Sequence, residues 1–212
     1  MIELIQKGGP VMVVIVLLAP IATAIIIERF LYFRKIKVDE EKMIQRLKAA
    51  LEKGHYEEAL DICENNPSPI GNLMKVGIEH RQYSAQDMKN AIADAANLEI
   101  PNMERFLTTL GTIAHIAPLL GLLGTVTGNI KAFSVLSDLK GVGDPTLLAG
   151  GIAEALLTTA AGIIVSVPAV IFYNYLVSKV NHLIIHLENR VNEMVLLLKG
   201  TEGNGWEKGN GI

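Results

Sequence analysis

The sequence has 212 residues, of which 50% are hydrophobic and only 19% are charged, and its mean hydropathy is +0.35. This composition is more apolar than a water-soluble domain requires and indicates an integral membrane protein. The net charge of −3 gives no basic excess for a nucleic-acid partner, and the single cysteine, Cys63, excludes an internal disulfide.

Three segments are long and apolar enough to cross a bilayer, which takes about 20 helical residues. A cleavable signal peptide is the alternative for the first segment. The residues before it are nearly neutral, however, and its apolar run is longer than the core of a signal peptide. We therefore predict three transmembrane helices, at residues 8–33, 106–130 and 147–178.

Basic residues at the ends of the first span set the predicted orientation. Arg29, Arg34, Lys35 and Lys37 lie at or beyond its end, whereas only Lys7 precedes it. Because short loops rich in Lys and Arg remain in the cytoplasm, we predict the N-terminus outside and the C-terminus inside. Two of the other segments are then outside, the N-terminus at 1–7 and a short loop at 131–146. The remaining segments are cytoplasmic: a helical domain at 34–105, a helix at 179–200 and a disordered tail at 201–212.

Both cytoplasmic segments have the apolar spacing of α-helices. Met43, Leu47, Ala50 and Leu51 share one helical face before Gly54 interrupts the pattern. After the third span a heptad-like seam continues at Val177, Val180, Ile184, Leu187, Val191, Met194 and Leu198. No strand-like alternation of useful length appears. We predict an all-α integral membrane protein with three transmembrane helices and long helical cytoplasmic extensions.

The third span, GGIAEALLTTAAGIIVSVPAVIFYNY, contains one charged residue, Glu154. A carboxylate near the bilayer centre costs about 2.5 to 3.5 kcal/mol on insertion scales, and its side chain is too short to reach the headgroups. Glu154 must face protein or a water-filled cavity, where it can load and release a proton. The hydroxyls of Thr158 and Thr159, about one turn further along, can pass water or a cation beside it. The alternative role is a structural hydrogen bond to a neighbouring helix.

Spans two and three are rich in small residues, which let helices approach closely in lipid. We expect helix packing at Gly121, Gly124, Gly128, Gly151 and Gly162. His115 in span two either lines the ion route or makes a helix–helix hydrogen bond. His182 and His186 have a metal-pair spacing, but no further ligands complete a site. We predict no metal, no cofactor and, since no catalytic motif appears, no enzyme activity.

Two stretches, PLLGLLGTVTGNIKAF and the third span quoted above, resemble the ExbB/TolQ/MotA proton-channel family, and its ExbB/TolQ arm in particular. On this resemblance the family's pore glutamate in G-I-A-E-A-L falls on Glu154. Its span-three threonine falls on Thr159, and its span-two threonine in G-L-x-G-T-V falls on Thr125. The chain departs from the family at Thr127, where tryptophan is common, and at Asn129, where an apolar residue is common. These two residues make the pore region more polar and leave H⁺ and Na⁺ open as the driving ion.

The resemblance also implies a function. Members are stator subunits of the bacterial inner membrane, homopentamers whose pore holds the single-span helices of an ExbD/TolR-type partner. Proton movement drives a TonB- or TolA-type protein that acts on the outer membrane, so the outer segments of this chain would be periplasmic. The stretches APLLGLLGTV and EALL favour an ExbB-type role over a TolQ-type role. Three alternatives remain: a non-conducting membrane scaffold, a Na⁺-driven stator and a secondary transporter, the last disfavoured by the lack of internal inverted repeats.

Overall fold

The structure, a computed structural model, describes the backbone of residues 8–138 and 145–209. Side chains are described except at 37–40, 135–138, 145, 147 and 200–209. Within these residues the chain forms helices and no strand, which confirms the predicted all-α class. The helices are α1 (Gly9–Glu52), α2 (Tyr56–Glu64), α3 (Pro69–Glu79), α4 (Ala85–Glu104), α5 (Leu107–Asp138) and α6 (Pro145–Gly209).

Three helical regions of the described chain are long and apolar enough to cross a membrane: Gly9–Glu52 in α1, Ala85–Ser134 in α4 and α5, and Leu148–Lys199 in α6. This number agrees with the three spans expected from the sequence. α1 and α6 are much longer than a bilayer requires, because each continues as an amphipathic helix beyond its apolar part. The predicted helical extensions are therefore continuous with two of the spans.

Some predicted segment bounds differ from the helices, and others lie outside the described residues. The predicted N-terminus at 1–7 lies outside them, as do 139–144 of the predicted outer loop and 210–212 of the predicted tail. α6 continues to Gly209, although the sequence predicted a disordered tail from residue 201. The predicted disorder rested on the glycine-rich composition of this segment, because each glycine costs a helix about 1 kcal/mol relative to alanine.

The chain divides into two compact units. The first comprises Met1–Arg29 and Phe106–Val177, and it holds the apolar parts of α1, α5 and α6. The second comprises Phe30–Arg105 and Ser178–Ile212, and it holds the helices with charged outer faces.

In the first unit α5 and α6 run antiparallel and pack through small residues. Gly111 contacts Tyr173 near one end of the pair, and Gly128 contacts Ala155 near the other. Small residues at these contacts let the two backbones approach, which is how helices associate in lipid. The large apolar side chains point away from this contact and are exposed on the single chain, as at Leu119, Leu122, Val126, Ile130, Leu156 and Ile164. A membrane protein covers such surfaces with lipid or with other subunits.

In the second unit the amphipathic faces of the helices form a core. Met43, Leu47, Ala50 and Leu51 are all buried, as the apolar spacing of α1 predicted. The seam of α6 is buried in part: Val180, Leu187, Met194 and Leu198 are at most 4% exposed, whereas Ile184 and Val191 are half-buried. Apolar burial of this kind supplies most of the stability of such helices.

Local signals set the ends of the shorter helices. Gly54 has a φ of 74°, a left-handed conformation that glycine adopts without strain, and it separates α1 from α2. The hydroxyl oxygens of Ser68 and Ser84 accept hydrogen bonds from the backbone N–H groups of Gly71 and Asp87. These are N-caps of α3 and α4, which satisfy N–H groups that have no partner within the helix.

Candidate functional site

The carboxylate of Glu154 lies where three helices of the first unit meet. Its Oε1 accepts a hydrogen bond of 2.7 Å from Nζ of Lys131 on α5, and the two side chains form an ion pair. Gly9, the first residue of α1, lies so close that a Cβ there would overlap Oε1. The Glu154 side chain is 18% exposed, whereas that of Lys131 is 54% exposed. A mostly buried carboxylate is thus held by an ammonium group that reaches the surface.

Glycine at position 9 is suited to this junction for two reasons. Its φ of 64° lies in the left-handed region, and its lack of a Cβ leaves room for the carboxylate. The first turn of a helix carries a partial positive charge from its free N–H groups. Glu154 therefore has two sources of positive charge beside it, the Lys131 ammonium and the start of α1.

The sequence reasoning identified Glu154 but missed Lys131. Lys131 was predicted only as the first residue of the outer loop, although a signal for its pairing was present. Two consecutive antiparallel helices joined by a short connection place the end of one beside the start of the next. Oppositely charged residues at those two ends, Lys131 and Glu154, could therefore have been predicted to pair.

The two threonines that follow Glu154 are held by backbone carbonyl groups. Thr158 is 0% exposed, and its hydroxyl donates to the carbonyl oxygens of Glu154 at 3.1 Å and Ala155 at 2.9 Å. The hydroxyl of Thr159 reaches across to α5 and donates to the carbonyl oxygen of Gly121 at 3.0 Å. The hydroxyl oxygen of Thr159, which is half-buried, keeps acceptor capacity for water or a cation, whereas that of Thr158 is closed off from solvent in the single chain. Their part in an ion route stays a prediction.

The candidate residues of span two bond within their own helix. Thr125 donates to the carbonyl oxygen of Leu122 at 2.6 Å, and Thr127 shares its hydroxyl between two carbonyl oxygens of the preceding turn. His115 Nδ1 lies 2.6 Å from the carbonyl oxygen of Gly111. His115 and Asn129 are exposed on the single chain. Exposed polar groups at membrane depth require water or another protein chain as neighbour, so these two residues stay candidates for the pore lining.

The predicted packing glycines all lie at the contact between α5 and α6. They are Gly121, Gly124, Gly128, Gly151 and Gly162. A Cβ on Gly162 would lie 2.5 Å from the carbonyl oxygen of Ala117, and one on Gly128 would lie 2.8 Å from that of Gly151. This close approach lets hydroxyls of α6 bond to carbonyls of α5: the buried Ser166 donates to Ala114 at 2.7 Å, in addition to the Thr159 bond.

The histidine pair of α6 lies in the second unit. His182 and His186 line a groove of about 310 Å³ together with Lys179 and Arg190. Glu41 lines the same groove, and its carboxylate offsets part of the positive charge of the two basic side chains. Among the side chains that the structure describes, no three of the metal-binding types come together.

The sequence comparisons agree with this architecture. The MotA/TolQ/ExbB proton channel family matches residues 65–189, more than half of the chain, and the match includes α5, Lys131 and Glu154. The chain is 36% identical to the biopolymer transport protein ExbB-like 1 of Synechocystis sp. over 177 residues, which are 81% of this chain and 68% of that protein.

Two further relatives carry related names. The chain is 30% identical over 181 residues to an ExbB homolog of Methanothermobacter thermautotrophicus, covering 85% of this chain and 64% of that protein. It is 39% identical over 104 residues to the Tol-Pal system protein TolQ of Haemophilus influenzae, covering 49% of this chain and 45% of that protein. The chain thus spans less than two thirds of these last two relatives. With three helices long enough to span a bilayer and a family match over most of its length, it is a membrane protein that belongs to the MotA/TolQ/ExbB proton channel family.

Proposed function

We propose that this chain is an inner-membrane stator subunit of a motor driven by the proton motive force. With an ExbD/TolR-type partner it conducts protons and energises a TonB- or TolA-type protein that acts on the outer membrane. Its family and the biopolymer transport names of its relatives support the proposal. No cofactor is proposed; the energy comes from the membrane potential, since one unit charge that crosses about 100 mV releases about 2.3 kcal/mol. A few protons can then bias a conformational change of several kcal/mol.

The ion pair of Glu154 and Lys131 carries the proposal within this chain. When a proton binds to the carboxylate, Glu154 becomes neutral and loses most of its attraction for the ammonium. Because the two residues lie on different helices, loss of the pair removes one of the contacts that fix α5 against α6 and favours a shift between them. Proton binding is thereby converted into movement. Thr159, Thr125 and Thr158 are the proposed hydroxyl groups of the route.

The proposed assembly is based on the family resemblance. The subunit forms a homo-oligomer, a pentamer by family resemblance, around a pore that spans two and three line. Its N-terminus is periplasmic and its C-terminus cytoplasmic, which the basic residues after the first span support. An ExbB-type role is favoured over a TolQ-type role by the stretches APLLGLLGTV and EALL.

The test replaces Glu154 with glutamine, which keeps the size of the side chain and removes its charge. The variant is produced with the cognate partner subunit in a host that lacks its own stator, and energy-dependent uptake across the outer membrane is measured. We expect Glu154→Gln to lower uptake to the level of cells without the subunit. Glu188→Gln is the matched control, since Glu188 is an exposed acid on the same helix, and it should retain uptake.

Two results would contradict the proposal. Full uptake by an assembled Glu154→Gln variant would exclude the ion-relay role and favour a non-conducting scaffold. Solute uptake by the purified chain in proteoliposomes without a partner would favour a secondary transporter. Complementation of a second host, which lacks the Tol-type subunit, distinguishes an ExbB-type role from a TolQ-type role. An ExbB-type chain should restore uptake in the first host better than it restores envelope integrity in the second.

A further inference from the structure

Lys131 occupies the position at Glu154 that a bound cation would take. Its Nζ lies 2.7 Å from Oε1, and the same oxygen packs against Gly9. A carboxylate that binds a metal ion offers its oxygen lone pairs to that ion. At Glu154 one oxygen is therefore already engaged by a positive group that is covalently part of the chain.

A second cation at this carboxylate would be repelled by the first. A sodium ion on the free oxygen would lie within several ångströms of the Lys131 ammonium, and two like charges at such distances repel strongly in a partly buried site. The positive start of α1 adds to the repulsion. A proton meets the same repulsion, but the covalent O–H bond that it forms gives it a much larger intrinsic affinity for a carboxylate than sodium has.

The neighbouring oxygen atoms offer little compensation for a metal ion. The carbonyl oxygens of Glu154 and Ala155 accept the hydroxyl proton of Thr158, and that side chain is 0% exposed. Sodium is a hard cation that needs several oxygen ligands. Coulomb repulsion and the engaged carbonyl groups thus act in the same direction.

We propose that Lys131 is a specificity-determining residue that keeps alkali metal ions away from Glu154 and restricts this carboxylate to protons. The inference deepens the proposed function and rests on it for its meaning in the motor. Lys131 is a positioning residue in this scheme, because it acts through Glu154. Of the two candidate ions, H⁺ and Na⁺, this proposal assigns H⁺ to Glu154.

The test measures binding of Na⁺ to the full chain in nanodiscs of zwitterionic phosphatidylcholine, by the relaxation of the ²³Na resonance during a NaCl titration. We expect Lys131→Met to gain a Na⁺ site, with an affinity about tenfold or more above that of the wild type. Solvent screening limits the gain, because Lys131 is 54% exposed. Lys131→Arg keeps the charge and should match the wild type.

The double variant Lys131→Met/Glu154→Gln shows whether the new site uses the glutamate, and it should lose the gain. Lys131→Gln serves as a second neutral variant if Lys131→Met does not assemble. Na⁺ binding by the wild type that disappears in Glu154→Gln would overturn the proposal. So would neutral Lys131 variants that bind no more Na⁺ than the double variant. The Na⁺ titration needs no motor activity. A negative titration therefore leaves the uptake result for Glu154→Gln unaffected, and a negative uptake result leaves the titration unaffected.

Discussion

A charge inside an apolar helix needs compensation, and at the residue scale Glu154 obtains it from Lys131. The two side chains differ in length, and this difference decides which of them is buried. The short glutamate stays mostly buried, whereas the long lysine stem lets its ammonium pair with Oε1 and still reach the surface. Removing one partner of such a pair leaves the other charge uncompensated, which is more damaging than losing both. Variants of Glu154 and Lys131 must therefore be interpreted together.

The thiol of Cys63 gives a second prediction at this scale. Burial raises the pKa of Cys63 to about 11, and its side chain is 2% exposed. Because the thiolate is the reactive form, we expect maleimide to label Cys63 slowly at pH 8 in the folded protein and rapidly after unfolding. An introduced cysteine at the exposed position of Gln82 is the control for reagent access. Equal labelling rates at the two positions in the folded protein would contradict the buried placement.

The same pKa shift makes the stability depend on pH. Burial favours the neutral thiol, so its contribution to the free energy of unfolding is complete below the ordinary value of 9.0. Between pH 9 and about 11 the unfolded chain ionises while the folded chain does not, and this contribution is lost as the pH rises. Cys63→Ala, measured by denaturation over this range, should show a flatter decline.

At the scale of elements, the contact between α5 and α6 depends on the absence of side chains. A Cβ at Gly128 would lie 2.8 Å from the carbonyl oxygen of Gly151 and 3.0 Å from Cβ of Ala155, whereas one at Gly150 would meet nothing within 4 Å. We expect Gly128→Ala to destabilise the folded protein by about 1 to 3 kcal/mol through overpacking. Gly150→Ala is the matched control, since both changes raise helix propensity by about 1 kcal/mol. Unfolding in detergent micelles by SDS measures the difference, and equal stabilities would contradict the packing.

Hydrogen bonds from hydroxyl groups also cross the contact between α5 and α6. The bonds from Thr159 to Gly121 and from Ser166 to Ala114 both run from α6 to carbonyl groups of α5. Such bonds contribute about 0.6 kcal/mol each in membrane proteins, so they align the helices more than they hold them together. Alignment matters here because the relative shift of the two helices decides how closely Lys131 approaches Glu154.

At the scale of the whole molecule, the predicted orientation can be measured by cysteine accessibility. In a Cys63→Ala background, Ser134→Cys lies at an exposed position near the C-terminal end of α5, and Gln82→Cys lies at an exposed position of the second unit. We expect a membrane-impermeant maleimide to label Ser134→Cys in spheroplasts and Gln82→Cys only after lysis, because the basic residues that follow span one remain inside. The opposite pattern of labelling would reverse the assigned orientation.

Much of this molecule could be predicted from local patterns. The three spans follow from hydropathy, the buried faces of Met43 to Leu51 and Val180 to Leu198 follow from helical periodicity, and Glu154 is conspicuous as the one charge in its span. The extent of the last helix was less predictable. Composition suggested disorder after residue 200, whereas α6 reaches Gly209.

The sequence by itself determined the helices, their apolar faces and the residue that carries the candidate site, because each of these depends on neighbours within one or two turns. The tertiary structure decided which side chains meet across helices: Lys131 with Glu154, Gly9 with the same carboxylate, and Thr159 with the backbone at Gly121. Such pairs depend on the rotation and relative shift of whole helices. Those are set by the sum of many small packing contacts, and no single stretch of sequence contains that sum.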